Sequence, residues 1–184
     1  MDKPNLNQPT VPQRDDEIFD VVDLADQVVG RQTRRLVHAR NLLHRAVHVI
    51  VLDPAGRVFL QKRSMAKDSW PGRWDSSCSG HLDAGEDYLP AAIRELREEI
   101  GVLANPEELV FQLKLSPRAE TGWEFVSVFT LRYAGEVLTN PAEIERGEWF
   151  EAAALTKWMS ERPDDFTSTL KIHWPRIFAA LPGH

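Results

Sequence analysis

The chain has 184 residues, enough for one domain with a sizeable core, and its 42% hydrophobic and 27% charged residues are typical of a globular protein. Its net charge of −6 at pH 7 argues against a nucleic-acid partner, which a basic surface would bind. The single cysteine, Cys78, excludes an internal disulfide, and the chain shows neither an apolar signal segment nor an apolar run of about eighteen residues, so the composition predicts a cytoplasmic protein with no membrane partner.

The first part of the chain predicts an arm followed by a hairpin. Residues 1–17 are polar and contain three prolines, which predicts a flexible arm. Alternating apolar and acidic residues over 18–22, a turn and the pair Val28-Val29 predict an edge hairpin, and a short basic helix is expected over 33–43. We expect residues 18–184 to form a single domain that carries this hairpin as an N-terminal extension.

The rest of the chain alternates strand and helix patterns. β-branched and apolar runs bounded by turn residues predict strands, and apolar residues at helical spacing predict helices. The strands are expected over residues 44–52, 58–63, 109–115, 124–133 and 148–150, and the later helices over 151–159 and 167–180. Strands before and after a central helix, followed by terminal helices, predict a layered α/β architecture with a mixed sheet.

The central helix belongs to the stretch 80–102, which reads GHLDAGEDYLPAAIRELREEIGV. Its apolar residues recur at the spacing of one buried helix face, at Leu89, Ile93, Leu96 and Ile100. On a neighbouring face Glu95, Glu98 and Glu99 are spaced so that their like charges repel. A hard divalent cation, Mg²⁺ or Mn²⁺, would neutralise them. The alternative is a solvated acidic face.

This stretch resembles a known motif at every specified position. It contains Gly80, five residues, Glu86, seven residues, Arg94-Glu95-Leu96, one residue, Glu98-Glu99, one residue and Gly101-Val102. The pattern is that of the Nudix box, GX5EX7REUXEEXGU, where U is a bulky aliphatic residue. The resemblance implies the Nudix fold, an α/β/α sandwich with a mixed β-sheet and a loop-helix motif.

The resemblance also implies a reaction. Nudix hydrolases use Mg²⁺ or Mn²⁺ and metal-activated water to cleave the diphosphate linkage between a nucleoside and another group X. The implied partner is therefore a small-molecule diphosphate, and its group X is not specified by the motif. Nudix proteins are often dimers, and the N-terminal hairpin is a candidate contact for a homodimer.

Roles for the box residues follow from the same resemblance. Glu98 and Glu99 are the implied principal metal ligands, and Glu95 is either a further ligand or the catalytic base. Arg94 is expected to orient Glu95. The backbone carbonyl of Gly80 is a candidate metal ligand, where glycine permits a close approach. Glu86 is expected to hold the loop and a metal-bound water, and it is a candidate substrate-binding residue.

Three further acids are candidates for an additional metal ligand outside the box. The string EIERGEWF resembles the acidic segment that precedes the end of many Nudix domains, and it contains Glu143, Glu145 and Glu148. Glu143 is our first choice, and a solvated edge is the alternative. Arg63 and Lys67 are candidate substrate-binding residues that would contact phosphate, with ordinary surface positions as the alternative.

Aromatic and histidine residues add weaker signals. Some tryptophans are candidates to stack on a base, although core packing is the more common role; they are Trp70, Trp74 and Trp123. The histidines at positions 44, 48 and 81 are a candidate metal triad. His44 and His48 would share one face of a strand, and His48 is expected to be a structural histidine.

The segment 44–80, with its WPGRW sequence, resembles a subgroup related to isopentenyl diphosphate isomerase. Those isomerases use His and Glu metal ligands, and His44 and His81 match two of their histidine positions. Their catalytic cysteine directly precedes the Gly-His pair, where this chain has Ser79. Cys78 is one residue away, which turns its side chain to the opposite face. The intact box favours a hydrolase, with an isomerase or a non-catalytic ligand-binding module as alternatives.

Overall fold

The computed structural model describes residues 14–181, and within them it contains nine strands and four helices. The strands are β1 (Ile18–Val22), β2 (Val28–Thr33), β3 (His44–Leu52), β4 (Val58–Arg63), β5 (Trp74–Asp75), β6 (Cys78–His81), β7 (Leu109–Leu115), β8 (Glu124–Arg132) and β9 (Ile144–Phe150). The helices are α1 (Arg34–Ala39), α2 (Tyr88–Ile100), α3 (Ala152–Glu161) and α4 (Ser168–Ala180). Most of the predicted N-terminal arm lies outside the described residues.

The main sheet has seven strands and is mixed, as predicted. Its central order is β5-β4-β3-β8-β7, with β6 also paired to β3 and β9 also paired to β4. The β3–β8 pair is parallel and runs from His44 opposite Glu124 to Leu52 opposite Arg132, whereas the other pairs are antiparallel. The parallel register brings two residues that are far apart in sequence, His44 and Glu124, side by side.

The strands predicted over residues 44–52 and 58–63 are present and pair as a hairpin, but their ladder is short. Only two residue pairs next to the turn are in register, Val51 with Phe59 and Leu52 with Val58. Beyond them β3 pairs with β6 and β4 pairs with β9. The two strands therefore diverge, and the chain segment that leads into the box helix occupies the space beside β3.

The last strand begins earlier than predicted. The expected strand covered residues 148–150, whereas β9 starts at Ile144, which is buried and pairs with Arg63. The charged side chains of β9 point to solvent and obscured the strand pattern, since only Ile144 at its start is a buried apolar residue.

Two hydrophobic cores lie on opposite faces of the sheet and confirm the α/β/α sandwich. The inward residues of β3 pack against α2 on one face, with Leu96 and Ile100 fully buried. The other core includes Ile50 and residues of α3 and α4, among them Leu155 and Trp174. Each fully buried side chain of this size contributes about 1.5–3 kcal/mol. No helix among residues 14–181 has both the length and the apolar character needed to cross a membrane.

A buried polar chain joins the sheet to α4. His48 Nδ1 lies 2.8 Å from Ser76 Oγ, which lies 3.1 Å from His173 Nε2. His48 is therefore a partnered structural histidine, as predicted. Burial lowers the pKa of His48, and the charge of Asp75 opposes that shift. Burial and the charge of His48 hold the pKa of His173 well below its ordinary value. Both imidazoles are neutral in the folded chain near pH 7.

Replacing His173 with glutamine is expected to make the folded chain less sensitive to acid. Below about pH 6.5 these histidines bind protons in the unfolded chain but not in the folded chain. Each buried histidine therefore lowers the free energy of unfolding by about 1.4 kcal/mol for each unit by which the pH falls. The variant removes one such group. Urea denaturation between about pH 6.5 and 4.5 gives the free energy of unfolding as a function of pH. The slope of that plot should be smaller in the variant by the equivalent of about one proton. An unchanged slope would show that folded His173 is protonated.

Candidate active site

A cavity of about 360 Å³ lies between the box helix, β6 and the loop that follows β4. Its wall brings together eight of the nine predicted site residues, and these are Arg63, Lys67, Gly80, Arg94, Glu95, Glu98, Glu99 and Glu143. Glu86 lies outside this wall. Acidic and basic side chains therefore face one another across a shared space.

The box helix begins and ends where the sequence requires. Asp87 is its N-cap, and Gly101 ends it with a φ of 67°, a left-handed conformation that glycine adopts at little cost. The helix buries Glu95 and Glu99 and leaves Glu98 exposed. The alternative of a solvated acidic face is therefore wrong for Glu95 and Glu99.

Glu95 is buried against the backbone of Gly80. A Cβ atom on Gly80 would lie 2.1 Å from the Glu95 carboxylate, so only glycine leaves room for this side chain. Burial raises the pKa of Glu95 to about 8, with a further contribution from the charge of Glu99, while Arg94 opposes the shift. Arg94 Nη1 donates to Glu95 Oε1 at 2.7 Å, the contact expected of an orienting arginine. Glu95 can thus exchange a proton near neutral pH.

Glu99 is held from one side only. Its Oε2 accepts hydrogen bonds from Gln61 Nε2 and from the Ser79 backbone N–H, both at 2.9 Å. Its Oε1 lies 3.6 Å from Lys67 Nζ. Burial raises the pKa of Glu99, and the charge of Lys67 opposes that shift. One fixed oxygen and one oxygen on the cavity side suit a ligand for a cation.

Glu86 supports the site from behind. Its Oε1 accepts from Arg94 Nε at 3.0 Å, and its Oε2 accepts from Arg94 Nη2 at 2.7 Å and from the Asp83 backbone N–H at 3.0 Å. Arg94 Nη2 also donates to the carbonyl of His81 at 2.9 Å. The expected loop-holding role of Glu86 has a structural basis, whereas the expected substrate contact does not, because both carboxylate oxygens are engaged away from the cavity.

Of the three acids outside the box, the structure brings only Glu143 to the cavity among the described residues. The Glu143 carboxylate contacts Lys67 Nζ, and both side chains are largely buried. Glu145 pairs with Lys62 at the surface, and Glu148 lies on the exposed side of β9. The solvated-edge alternative therefore holds for Glu145 and Glu148.

Arg63 is a buried cavity residue and not a surface arginine. Its Nε donates to the carbonyl of Ser69 at 3.0 Å, and its Nη1 donates to Asp75 Oδ2 at 3.1 Å. Asp75 also accepts from the Thr167 hydroxyl at 2.8 Å, which connects the cavity wall to the start of α4. Asp75 was not among the predicted residues, because a single aspartate in an irregular segment carries no pattern.

Of the candidate triad His44, His48 and His81, the sequence already favoured a structural role for His48. His48 lies in the buried polar chain described above, and the structure instead groups His44 and His81 with His38 and Glu124. One candidate ligand atom from each of these four residues lies within 4.8 Å of the others. The sequence did not indicate His38, because it lies in a basic helix pattern. It did not indicate Glu124 either, because 80 residues separate Glu124 from its strand neighbour His44. We call this group the His-Glu cluster.

The electrostatics of the His-Glu cluster favour neutral imidazoles at His38 and His81 beside the Glu124 anion. Burial lowers the pKa of His38 to about 3, helped by the charges of His81 and His44, and burial also lowers the pKa of His81. Burial raises the pKa of Glu124, but hydrogen bonds and charge from His44 and His81 outweigh it and hold that pKa well below its ordinary value. His81 Nε2 lies 2.9 Å from Glu124 Oε1, and buried His44 Nε2 lies 3.4 Å from the same oxygen.

The donors present fit two kinds of cation. Carboxylate oxygens on a rigid helix, with Gly80 leaving room at the Glu95 carboxylate, suit Mg²⁺ or Mn²⁺. Three imidazoles with one carboxylate, including His44 Nε2 at 3.4 Å from Glu124 Oε1, suit Zn²⁺ or another transition metal. The two donor sets meet at the adjacent residues Gly80 and His81.

The tryptophans and the cysteine divide between core and cavity. Trp74 is buried and packs against Phe150 and Trp158, so it is a core residue. Trp70 lines the cavity and is 41% exposed. Cys78 is buried in the core beneath α2, where burial raises the pKa of its thiol well above the ordinary value. Ser79, and not Cys78, lines the cavity, in agreement with the predicted opposite faces.

Comparisons with known proteins agree with this geometry. A family model described as the NUDIX domain matches residues 42–170. An isopentenyl-diphosphate Delta-isomerase from Serratia proteamaculans is 33% identical over 155 residues, which cover 83% of this chain and 86% of the relative. An uncharacterized Nudix hydrolase from Streptomyces coelicolor is 39% identical over 130 residues, covering 70% of this chain and 71% of the relative. The fold is similar to that of DR0079 from Deinococcus radiodurans, with a TM-score of 0.69, 29% identity, and coverage of 79% of this chain and 90% of that chain.

These relatives are named as hydrolases and as isomerases, so the comparisons do not choose between the two reactions. They do agree that the chain contains a Nudix domain. The matched region includes the complete box, the whole core beneath α2, and most of the other core and of the cavity wall. The chain therefore belongs to the Nudix family.

Proposed function

We propose that the protein is a Mg²⁺-dependent hydrolase that cleaves the diphosphate linkage of a nucleoside-diphosphate-type or related small molecule. One observation carries the proposal. The box carboxylates Glu95, Glu98 and Glu99 converge with Glu143 on a cavity that also contains basic side chains. Such an arrangement can hold divalent cations and a polyanionic substrate together, which is the main requirement of phosphoryl transfer.

The box acids would hold the cation. Glu98 and Glu99 are the proposed ligands, with Glu95, the Gly80 carbonyl and Glu143 as further donors. Bound Mg²⁺ or Mn²⁺ would neutralise charge on the phosphate oxygens and lower the pKa of water. Arg94 and Lys67 already offset part of the repulsion among these acids, and a bound divalent cation would offset more of it.

Glu95 is the proposed base that takes a proton from the attacking water. Its pKa of about 8 allows it to hold a proton near neutral pH and release it again. Arg94 keeps its carboxylate in position through the 2.7 Å hydrogen bond. Attack at phosphorus places the water oxygen in one phosphate product, and the other phosphate leaves with the bridging oxygen.

Arg63 and Lys67 are the proposed phosphate-binding residues. Both are buried in the cavity wall and carry charges opposite to that of a diphosphate. Arg63 is held by Ser69 and Asp75, so its guanidinium is already oriented before substrate binds. The two cations would set where the diphosphate lies relative to Glu95.

Phosphate release from a panel of diphosphate compounds, coupled to pyrophosphatase or phosphatase, tests the proposed function. The panel includes nucleotide sugars, dinucleoside polyphosphates, damaged nucleotides, coenzyme A and isoprenoid diphosphates, each with Mg²⁺, with Mn²⁺ and with EDTA. The proposal expects cleavage of at least one member with metal and none with EDTA. If no member is cleaved, or if cleavage continues in EDTA, the proposal fails.

An isomerase of isopentenyl diphosphate is the second candidate, and the His-Glu cluster favours it. Its four donors offer a transition-metal site separate from the box acids, and curated relatives carry the isomerase name. The position that holds the catalytic cysteine in that subgroup is Ser79 here. This substitution and the complete box argue for hydrolysis, and the same box argues against a module that only binds its ligand.

Replacing Cys78 with alanine is expected to leave diphosphate hydrolysis within about twofold of wild type, because the thiol lies in the core beneath α2 and does not line the cavity. Stability should fall by about 1 kcal/mol, the usual cost of a small truncation in a core. The measurement is the hydrolysis rate beside NMR of isopentenyl diphosphate. Isomerisation that is present in the wild type and lost in Cys78→Ala would favour the isomerase instead.

A further inference from the structure

The N-terminal hairpin, β1 with β2, touches the box although it lies outside the matched family region. The family match begins at residue 42, whereas the hairpin covers residues 18–33. Its strand β1 runs beside the turn that precedes α2, and the carbonyl of Ile18 accepts a hydrogen bond from the Ala84 backbone N–H at 2.9 Å. The hairpin is therefore in direct contact with the segment that sets the start of the box helix.

Asp20 makes the second contact with that turn. Its Oδ2 accepts from the Gly85 backbone N–H at 2.7 Å, and its Oδ1 accepts from Arg31 Nε at 2.9 Å. Asp20 is buried, and Arg31 fixes its carboxylate plane. Gly85 has a φ of 84°, so the turn adopts a conformation that requires glycine and an external acceptor for its N–H.

The turn is coupled to the proposed base by consecutive contacts. Glu86 follows Gly85 directly and binds Arg94 through both carboxylate oxygens. Arg94 in turn binds Glu95. A shift of the Gly85 backbone would therefore move Glu86 and loosen Arg94, the residue that orients Glu95.

The same strand covers the neighbouring His-Glu cluster. The ring of Phe19 stacks on His81 with centroids 4.8 Å apart, and it lies nearly parallel to His44 at 5.9 Å. Phe19 is buried, and His81 directly follows Gly80. Adjacent residues of β1 therefore contact both ends of the segment that runs from the cluster to the box helix.

We propose that β1 is a part of the active site that lies outside the family domain, and that Asp20 is a positioning residue that fixes the turn before the box helix through the Gly85 N–H. The consequence for catalysis rests on the proposed function. The consequence for the turn and for cation binding does not, and it can be measured without any substrate.

The test compares Asp20→Ala with Asp20→Asn and with the matched control Asp23→Ala. Asparagine retains a side-chain oxygen for the Gly85 N–H, whereas alanine removes it. Asp23 accepts from the Ala25 and Gln27 N–H groups inside the hairpin turn, so its loss weakens the hairpin but leaves the acceptor of the Gly85 N–H in place. Three quantities are measured: amide hydrogen exchange over residues 83–86, the Mn²⁺ dissociation constant and kcat on a cleaved diphosphate.

Asp20→Ala is expected to speed exchange over 83–86 by about tenfold, to weaken Mn²⁺ binding by about tenfold and to lower kcat by about tenfold. Asp20→Asn should stay within about threefold of wild type in all three quantities. Asp23→Ala should speed exchange in the hairpin alone. If Asp20→Ala does not fold, Asp20→Ser replaces it, because its shorter side chain withdraws the acceptor while remaining polar.

Wild-type exchange over 83–86 and wild-type Mn²⁺ affinity in a folded Asp20→Ala or Asp20→Ser variant would overturn the proposal. So would equal effects of the Asp20 and Asp23 variants, because they would show that only hairpin stability matters. A wild-type protein that cleaves no diphosphate would overturn the proposed function alone, since exchange and Mn²⁺ affinity still decide the role of Asp20.

Discussion

Replacing Glu98 with glutamine is expected to lower the rate of Mg²⁺-dependent diphosphate hydrolysis by about a thousandfold, equivalent to about 4 kcal/mol of transition-state stabilisation. Glutamine retains the shape of the side chain and removes the charge that a divalent cation requires. The Glu98 side chain is 43% exposed. Its nearest basic partner, Arg94, would keep its hydrogen bonds to Glu86 and Glu95. The folded structure should therefore survive the change.

The measurement is kcat as a function of Mg²⁺ concentration, together with the thermal midpoint. Glu161→Gln is the matched control, because Glu161 is an exposed helical acid on α3 paired with Lys157. It should retain the wild-type rate. A Glu98→Gln variant that remains within tenfold of wild type at every Mg²⁺ concentration would remove Glu98 from the proposed ligands.

Replacing Gly80 with alanine is expected to lower kcat by about a hundredfold, the typical contribution of a general base. The added Cβ would occupy the position of the Glu95 carboxylate, 2.1 Å away, and would force that side chain to turn. The atoms displaced are the end of a flexible side chain and not backbone, so the fold should remain intact. The variant therefore removes Glu95 from its position without changing its chemistry.

A double-mutant cycle tests this explanation. Gly80→Ala and Glu95→Gln should have similar effects alone, and the double variant should be little worse than either, because both remove the same positioned carboxylate. Gly30→Ala is the control, since no atom lies within 4 Å of its added Cβ. Additive losses in the double variant would show that Gly80 acts through another group.

The sequence predicted the parts of the site that depend on local spacing. The box helix, its end at Gly101 and the contact of Arg94 with Glu95 all involve residues close together in the chain. The buried positions of Glu95 and Glu99 were not evident from spacing alone, because the alternative of a solvated face had the same periodicity. Their burial depends on Gly80 and Gln61, which come from other strands.

The parts that were missed depend on contacts between distant segments. Glu124 joins His44 only because β3 and β8 are parallel and in register, and a sequence does not specify that register. Asp20 reaches Gly85 across 65 residues by a side-chain to backbone bond, which leaves no sequence pattern. The start of β9 was misplaced for a related reason, since its pairing with β4 and not its own polar sequence makes it a strand.

The central claim is that water attacks a phosphorus atom of a diphosphate in a reaction that needs a divalent cation. Its most direct test is incubation of the wild-type protein with the diphosphate panel in H₂¹⁸O, followed by mass spectrometry of the products. The account predicts one ¹⁸O atom in the phosphate of a single product from at least one substrate with Mg²⁺, and no labelled product with EDTA. Unlabelled substrates throughout, with isopentenyl diphosphate converted to its isomer, would contradict it.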